Sequence, residues 1–372
     1  MPHTLRCVRP RASLLVGLAL AACGGADDVG ETAGQPAPTL TAVDSVVLPD
    51  TGALALGDVA NLGLHVGDDA IWVADRQNGR LVRFARDGRP LAQVSRKGRG
   101  PGEIAGPGPL AVMGDGTVAV WDYGGNRVLG FAPDGALRWE LPVREQALPL
   151  QLQATGDTLW AGVVSLADST GVMRIVPRTG AIEKLARVPL DYTAGLAHSL
   201  PFAIALRLGD GVLVNYAGDH RLFLHRDDGG IDSIPLPKRL RRGTPPDLLA
   251  RAMRGEYREA GGFENVVSMP ARVARLTDGT IALLHSDVDF SQTEHRPPRA
   301  DVWLTVLDAA NERACVDAPL PRSDHGLPSL TFRGDTLFLL DQVIGADRAT
   351  PVLRSFVVST AGCAWMAVAH QP

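Results

Sequence analysis

The apolar and polar positions of this chain fall into a unit that is written twice. Residues 71–89 read IWVADRQNGRLVRFARDGR and residues 118–136 read VAVWDYGGNRVLGFAPDGA, 47 positions apart. The copies share Val73/Val120, Asp75/Asp122, Arg80/Arg127, Phe84/Phe131, Ala85/Ala132, Asp87/Asp134 and Gly88/Gly135. Within each copy, short runs of Val, Leu, Ile and Trp alternate with polar residues and close on Asp-Gly. That is the pattern of strands joined by tight turns, with the positive φ of a two-residue hairpin supplied by glycine.

A first tight turn recurs six times along the chain: Gly67-Asp68-Asp69, Gly114-Asp115-Gly116, Thr155-Gly156-Asp157, Gly209-Asp210-Gly211, Thr277-Asp278-Gly279 and Arg333-Gly334-Asp335. A second follows at Asp87-Gly88, Asp134-Gly135, Thr179-Gly180 and Asp228-Gly229, and loosens to Ala309-Ala310-Asn311 and Thr360-Ala361-Gly362. A period in the forties with such turns predicts an all-β, six-bladed β-propeller of four-stranded antiparallel blades over about residues 57–368. The strand-like stretch Ala42–Pro49 is expected to pair at the outer edge of the last blade, because an open ring would leave two unpaired sheet edges.

The units resemble NHL-type repeats of the six-bladed propeller class, including a bacterial lipoprotein group with Gly-Pro-Gly-Glu between blades. Here that segment is Gly100-Pro101-Gly102-Glu103. The resemblance is strong over residues 57–143 and fainter beyond, and it implies a fold rather than a chemistry. It also implies that Asp75 with Arg80, and Asp122 with Asn126 and Arg127, organise the turn that follows the second strand of their blades.

Strand parity separates the two faces of such a ring. All the tight turns fall at one end, whereas the long segments 96–109, 190–201, 238–270, 286–300 and 342–350 fall at the other. Binding groups concentrate on long loops carried by a rigid scaffold, so the long-loop face is the expected docking surface. In the largest segment Thr244 reads as an N-cap before Pro245, and Leu249, Ala252, Met253 and Tyr257 follow at helical spacing. This predicts a short helical insertion over about 238–265 between blades four and five. Its basic residues, Arg251, Arg254 and Arg258 beside Tyr257, are the candidate ligand-binding group for an anionic partner. They read more simply as a solvated helix face on a capping loop.

At the end of the second strand the repeats place Asp75, Asp122, Val163, Tyr216, His285 and Asp341 in register. His285 opens His-Ser-Asp-Val-Asp, and His285 with Asp287 is a weak catalytic candidate, an imidazole beside a carboxylate. The same histidine reads more simply as a hydrogen-bonded loop residue. The sequence contains no G-x-S-x-G, phosphate-binding loop, H-E-x-x-H or Cys-x-x-Cys pair. No metal site and no cofactor are expected; Ca or Zn belong only to the alternative of a metal-dependent hydrolase or lyase at the channel mouth.

The N-terminus sets the expected address. Arg6, Arg9 and Arg11 precede an apolar run, Ala12–Ala22, too short to span a bilayer, which ends Leu20-Ala21-Ala22-Cys23-Gly24. This resembles a bacterial lipoprotein signal and implies a signal peptide over 1–22, removed to leave a lipid on Cys23. An ordinary secretory signal is the other reading. Residues 23–40 carry almost no large apolar side chains and read as a flexible tether, with residues 41–372 forming the propeller. The whole chain carries a formal charge of −4, and loss of the three arginines in the signal takes the remainder to about −7, which argues against nucleic acid as a partner. Of the four cysteines, Cys7 leaves with the signal. Cys315 and Cys363 fall in equivalent outer strands of neighbouring blades and are expected to be free thiols, too far apart to join. The sequence therefore points to a lipid-anchored propeller of the cell envelope, outer membrane included. It would act as a binding module for a peptide, carbohydrate or envelope protein, with an enzyme or a purely structural component as alternatives.

Overall fold

The computed structural model describes residues 37–57, 63–144, 147–165, 167–189, 201–245, 247, 266–289, 299–323, 327–344 and 349–370. Its sheets are six antiparallel blades, as the repeat predicts. The first strand in the chain, β1 (Thr39–Val47), is the last in the ring. Blade one is β2 (Gly63–Val66), β3 (Ala70–Asp75), β4 (Arg80–Ala85) and β5 (Pro90–Gln93). Blade two is β6 (Pro107–Val112), β7 (Val118–Asp122), β8 (Arg127–Phe131) and β9 (Leu137–Pro142). After a two-residue strand, β10 (Leu148–Pro149), blade three is β11 (Leu152–Thr155), β12 (Thr158–Gly162), β13 (Thr170–Val176) and β14 (Ala181–Arg187). Blade four is β15 (Phe202–Arg207), β16 (Gly211–Tyr216), β17 (Arg221–Arg226) and β18 (Ile231–Pro235). Blade five is β19 (Val266–Arg275), β20 (Ile281–Asp289), β21 (Arg299–Leu307) and β22 (Arg313–Pro319). Blade six is β23 (Ser329–Arg333), β24 (Thr336–Ile344) and β25 (Ala349–Ser359), and β26 (Met366–Ala367) is the last described strand.

Each blade buries both faces, which is why the second strands read as unbroken apolar runs. In β3, Ile71 and Val73 pack toward blade six, against Phe338 and Leu340, while Trp72 and Ala74 pack toward Leu110 and Val120 of blade two. Strand alternation thus serves two interfaces at once. The outer strands carry the polar residues: β9 and β14 contain no fully buried position.

The ring is closed from both ends of the chain. β1 pairs antiparallel with β25 from Thr39↔Ser359 to Val47↔Val352 and supplies the fourth strand of blade six. The predicted edge strand is therefore present and begins slightly before Ala42. At the other end β26 leaves blade six and adds a fifth strand to blade five, through Arg313↔Ala367 and Ala314↔Met366.

That crossing corrects the expectation for the cysteines. Cys315 and Cys363 form a disulfide, with Cα atoms 5.7 Å apart. Because β1 occupies the outer place in blade six, the C-terminal segment never forms that blade's fourth strand. Cys363 instead crosses to the buried Cys315 in β22 of the neighbouring blade.

The unequal faces follow the predicted parity, with shorter connectors than expected. Residues 107–109, 266–270, 286–289, 299–300, 342–344 and 349–350, assigned to loops from sequence, are strand. The strands of blades five and six simply run further toward the long-loop face. Residues 238–245, the start of the expected helical insertion, are irregular, and Arg251, Arg254, Tyr257 and Arg258 lie outside the described residues.

Candidate functional site

The inner strands of a propeller converge on its axis, and here the axis is occupied by the chain itself. β10 pairs parallel with the inner strand of blade four, Leu148↔Phe202 and Pro149↔Ala203, on the side away from β16. Residues 148–151 therefore lie inside the ring of inner strands. The Gln151 side chain then copies a strand pairing. Its amide donates to the Val273 carbonyl at 2.8 Å and accepts from the Val273 N–H at 2.9 Å, both in blade five. From blade two the Tyr123 hydroxyl donates to the Pro149 carbonyl. Gly108 leaves room for that ring, since a Cβ there would come within 2.5 Å of it.

Above this plug, toward the long-loop face, lies a cavity of about 370 Å³. That volume lies within the usual range for small-ligand sites. Five of the six blades line it, and blade three is replaced at the wall by Leu148 and Leu150 of the plug. The walls are apolar: Pro107 and Pro109, Phe202, Met269 and Pro270, Leu327 and Leu330. Among the described residues the polar side chains on the wall are Arg76, Tyr123 and Arg272.

Arg272 is the unusual one. It is 8% exposed, between Ala271 and Val273 on the inner strand β19. Its Nε donates to the Leu330 carbonyl at 2.5 Å and its Nη1 to the Leu150 carbonyl at 2.9 Å, joining blade five to blade six and to the plug. Among the described residues no carboxylate pairs with it. Burial lowers its pKa to about 10, because the interior disfavours the charged form, and the nearby Tyr123 hydroxyl opposes that shift. The same burial pushes the Tyr123 hydroxyl well above its ordinary range, against the charges of Arg76 and Arg272. Arg76, at the rim, is exposed, with its guanidinium 6.0 Å from the centre of the Tyr123 ring.

His285 and Asp287 do not reach this cavity. Both project to one face of β20, where Asp287 holds the start of the β18–β19 connection, accepting from the Arg242 N–H at 2.7 Å and the Gly243 N–H at 3.1 Å. Asp317 does the same for Arg239, for Leu240 at 2.8 Å and for Arg241 at 3.2 Å. Burial raises the Asp287 pKa, and the two N–H donors and the charges of Arg241 and Arg242 oppose it. His285 is fully buried, and burial followed by the Arg241 charge holds it neutral, far below its ordinary pKa. Arg241 is itself buried, 3.5 Å from Asp317, and Arg242 lies 3.9 Å from Asp289 and 3.8 Å from Asp301. Arg241 and Arg242, in the described part of the basic insertion, thus face acids of the blade beneath them. Among the described residues no three His, Cys, Asp or Glu side chains are grouped to hold a metal.

Asp75 organises the turn that follows it, as the repeat resemblance implies, whereas Asp122 bonds Arg127 across its turn and otherwise holds the connector before β6. Asp75 binds Arg80 Nε at 3.0 Å and Asn78 Nδ2 at 2.8 Å. Asp122 accepts from the Ala105 and Gly106 N–H groups at 3.1 and 2.7 Å and from Arg127 Nε at 3.1 Å. The Gly-Pro-Gly-Glu segment folds back on itself, with Glu103 accepting from the Gly100 N–H at 2.9 Å and from Arg96 Nε at 2.8 Å.

Sequence reasoning missed the plug, Tyr123 and Arg272. The turns Gly114 and Gly156 are closer together than Gly67 and Gly114, so the spacing gives no sign of a segment diverted to the axis. One trace was legible: a lone arginine within the apolar alternation Val267 to Val273.

No family model and no curated protein matches the chain. Among solved structures it is similar to a member of the DUF4221 family from Bacteroides vulgatus, at 10% identity and a TM-score of 0.59, covering 88% of this chain and all of that one. It is also similar to a putative exported protein from Bacteroides fragilis, at 11% identity and a TM-score of 0.57, covering 87% and 95%. A protein of unknown function from Bacteroides thetaiotaomicron aligns at 12% identity and a TM-score of 0.51, covering 87% and 76%. At such identities these likenesses show the propeller fold alone.

Proposed function

We propose that this protein is a ligand-binding module of the cell envelope, anchored by a lipid on Cys23, which receives its ligand at the axial mouth of the long-loop face. The observation that carries the reading is the lining of the mouth: apolar walls from five blades around two arginines and a tyrosine. Such a lining suits holding a molecule, as a rigid concave surface with a few placed polar groups does. The kinship with NHL-type repeats, the signal peptide over 1–22 and the tether that follows belong to the same reading. Arg251, Arg254, Arg258 and Tyr257, which fall between β18 and β19 in sequence, would add a basic group for an anionic partner.

Two measurements test it. Thermal unfolding of the full-length chain in detergent, against a panel of peptides, oligosaccharides and small organic acids, should reveal binders whose effect disappears in Leu148→Trp, which fills the mouth. Stabilisation that survives Leu148→Trp would place the site elsewhere. In bacteria fed labelled palmitate, the wild-type chain should be labelled and the Cys23→Ser variant should not; equal labelling would remove the anchor.

A further inference from the structure

We infer that the axial cavity is a carboxylate site: an organic acid enters with its carboxylate on the Arg272 guanidinium and its apolar body against Phe202, Leu148 and Met269. The inference rests on reading the mouth as a ligand site and adds the chemical class of the ligand.

Donor count is the first support. A guanidinium has five N–H donors, and Arg272 gives one to Leu330 and one to Leu150, so three are unused among the described residues. Those two bonds, one to blade six and one to the plug, fix the plane of the group. The remaining donors are held in place before any ligand arrives. Such preorganisation saves the ordering cost of a flexible surface arginine.

Charge is the second. A cation this buried would normally sit against a carboxylate, because a lone charge in an apolar site is expensive to keep. Asp122 and Asp75, the acids nearest in sequence to the cavity residues Tyr123 and Arg76, are engaged with Arg127 and Arg80. Among the described residues no acid lines the cavity. A monoanion would supply the missing partner with one charge for one charge. A dianionic phosphate would bring an excess charge against mainly hydrocarbon walls. A planar carboxylate also matches the fork of a guanidinium. Exposed Arg76 at the rim adds attraction during approach, screened by salt.

The test uses matched pairs on the full-length chain: hexanoate, 4-phenylbutyrate and cinnamate, each against its primary amide, by calorimetry at neutral pH. Each pair has the same body, so only the charge differs. At least one acid should bind about tenfold or more tightly than its amide, the range expected for hydrogen bonds to a charged group. Arg272→Met should abolish the preference, and Arg272→Lys should keep part of it. Arg76→Glu should weaken the acid a few-fold more than it weakens the amide. Acids and amides that bind equally, both excluded by Leu148→Trp, would overturn the carboxylate assignment while leaving the mouth as a site. Failure of every acid and amide to bind, or binding unaffected by Leu148→Trp, would overturn the assignment together with the reading beneath it.

Discussion

Removing the Cys315–Cys363 bond should be felt by the whole ring, because it ties the last blade's chain to the blade before it. The closed loop spans 48 positions. Chain-entropy arguments give about 4 kcal/mol for cross-linking a loop of that length, with measured values commonly 2–4. Beside the bond, the segment is held by two residue pairs of β26, the Val368 N–H donating to the Glu312 carbonyl at 2.7 Å, Val368 packed in the core, His370 2.8 Å from the Asn311 carbonyl, and Trp365 under the Arg313 guanidinium. Cys315 is fully buried, so alanine at both positions removes the bond without leaving a thiol in the core. Urea unfolding of the full-length chain, followed by tryptophan fluorescence, should show a loss of about 2–4 kcal/mol for Cys315→Ala/Cys363→Ala. Reductant should produce a similar loss in the wild type and none in the variant. Peptide mapping without reduction should recover the two cysteines in one linked fragment. Separate alkylated peptides, or a change below about 0.5 kcal/mol, the scale of an ordinary surface substitution, would refute the argument.

Other expectations follow from single contacts. Gln151→Leu removes both bonds to Val273 and leaves a buried N–H and carbonyl unpaired, which should cost about 2–4 kcal/mol in the same assay; a loss under about 1 would mean the plug is not held by that amide. Gly135 has φ +95°, so Gly135→Val should destabilise by about 1–3 kcal/mol, and an unchanged melting midpoint would contradict the turn. His225, by burial, and His65, by burial and the Arg333 charge, are both lowered to about 4 from 6.5. The unfolded chain therefore takes up those protons first as pH falls. Their contribution is complete above about pH 6.5 and is lost toward pH 4, each at up to about 1.4 kcal/mol per unit. A flat urea midpoint from pH 7 to 5 would exclude this, and His225→Gln should shallow the slope. Replacing Arg251, Arg254 and Arg258 with Ser should leave the melting midpoint unchanged and weaken capture of an anionic partner; an unaltered pull-down would remove those residues from the site.

The blade count was legible because a blade is a local object. Its strands are neighbours in sequence, its turns demand Gly and Asp at set offsets, and the Asp75–Arg80 and Asp122–Arg127 pairs lie within one turn. Parity then separated the two faces without any long-range knowledge. The disulfide was misread because sequence position was taken for spatial position in the last blade, where β1, from the other end of the chain, holds the outer place. The axial plug was illegible for a related reason. Leu148, Pro149 and Leu150 have the composition of any strand, and only packing sends them inside the ring.

By itself, then, the sequence determined an all-β ring of six sheets with one face of tight turns, since those features are written in alternation and turn chemistry over tens of residues. Tertiary structure alone decided the candidate site. Arg272, Tyr123, Phe202 and Leu148 come from different blades and the plug, and they meet only where the inner strands converge. Whether a buried arginine lacks a carboxylate depends on every neighbour that folding brings within reach, and no local pattern records that.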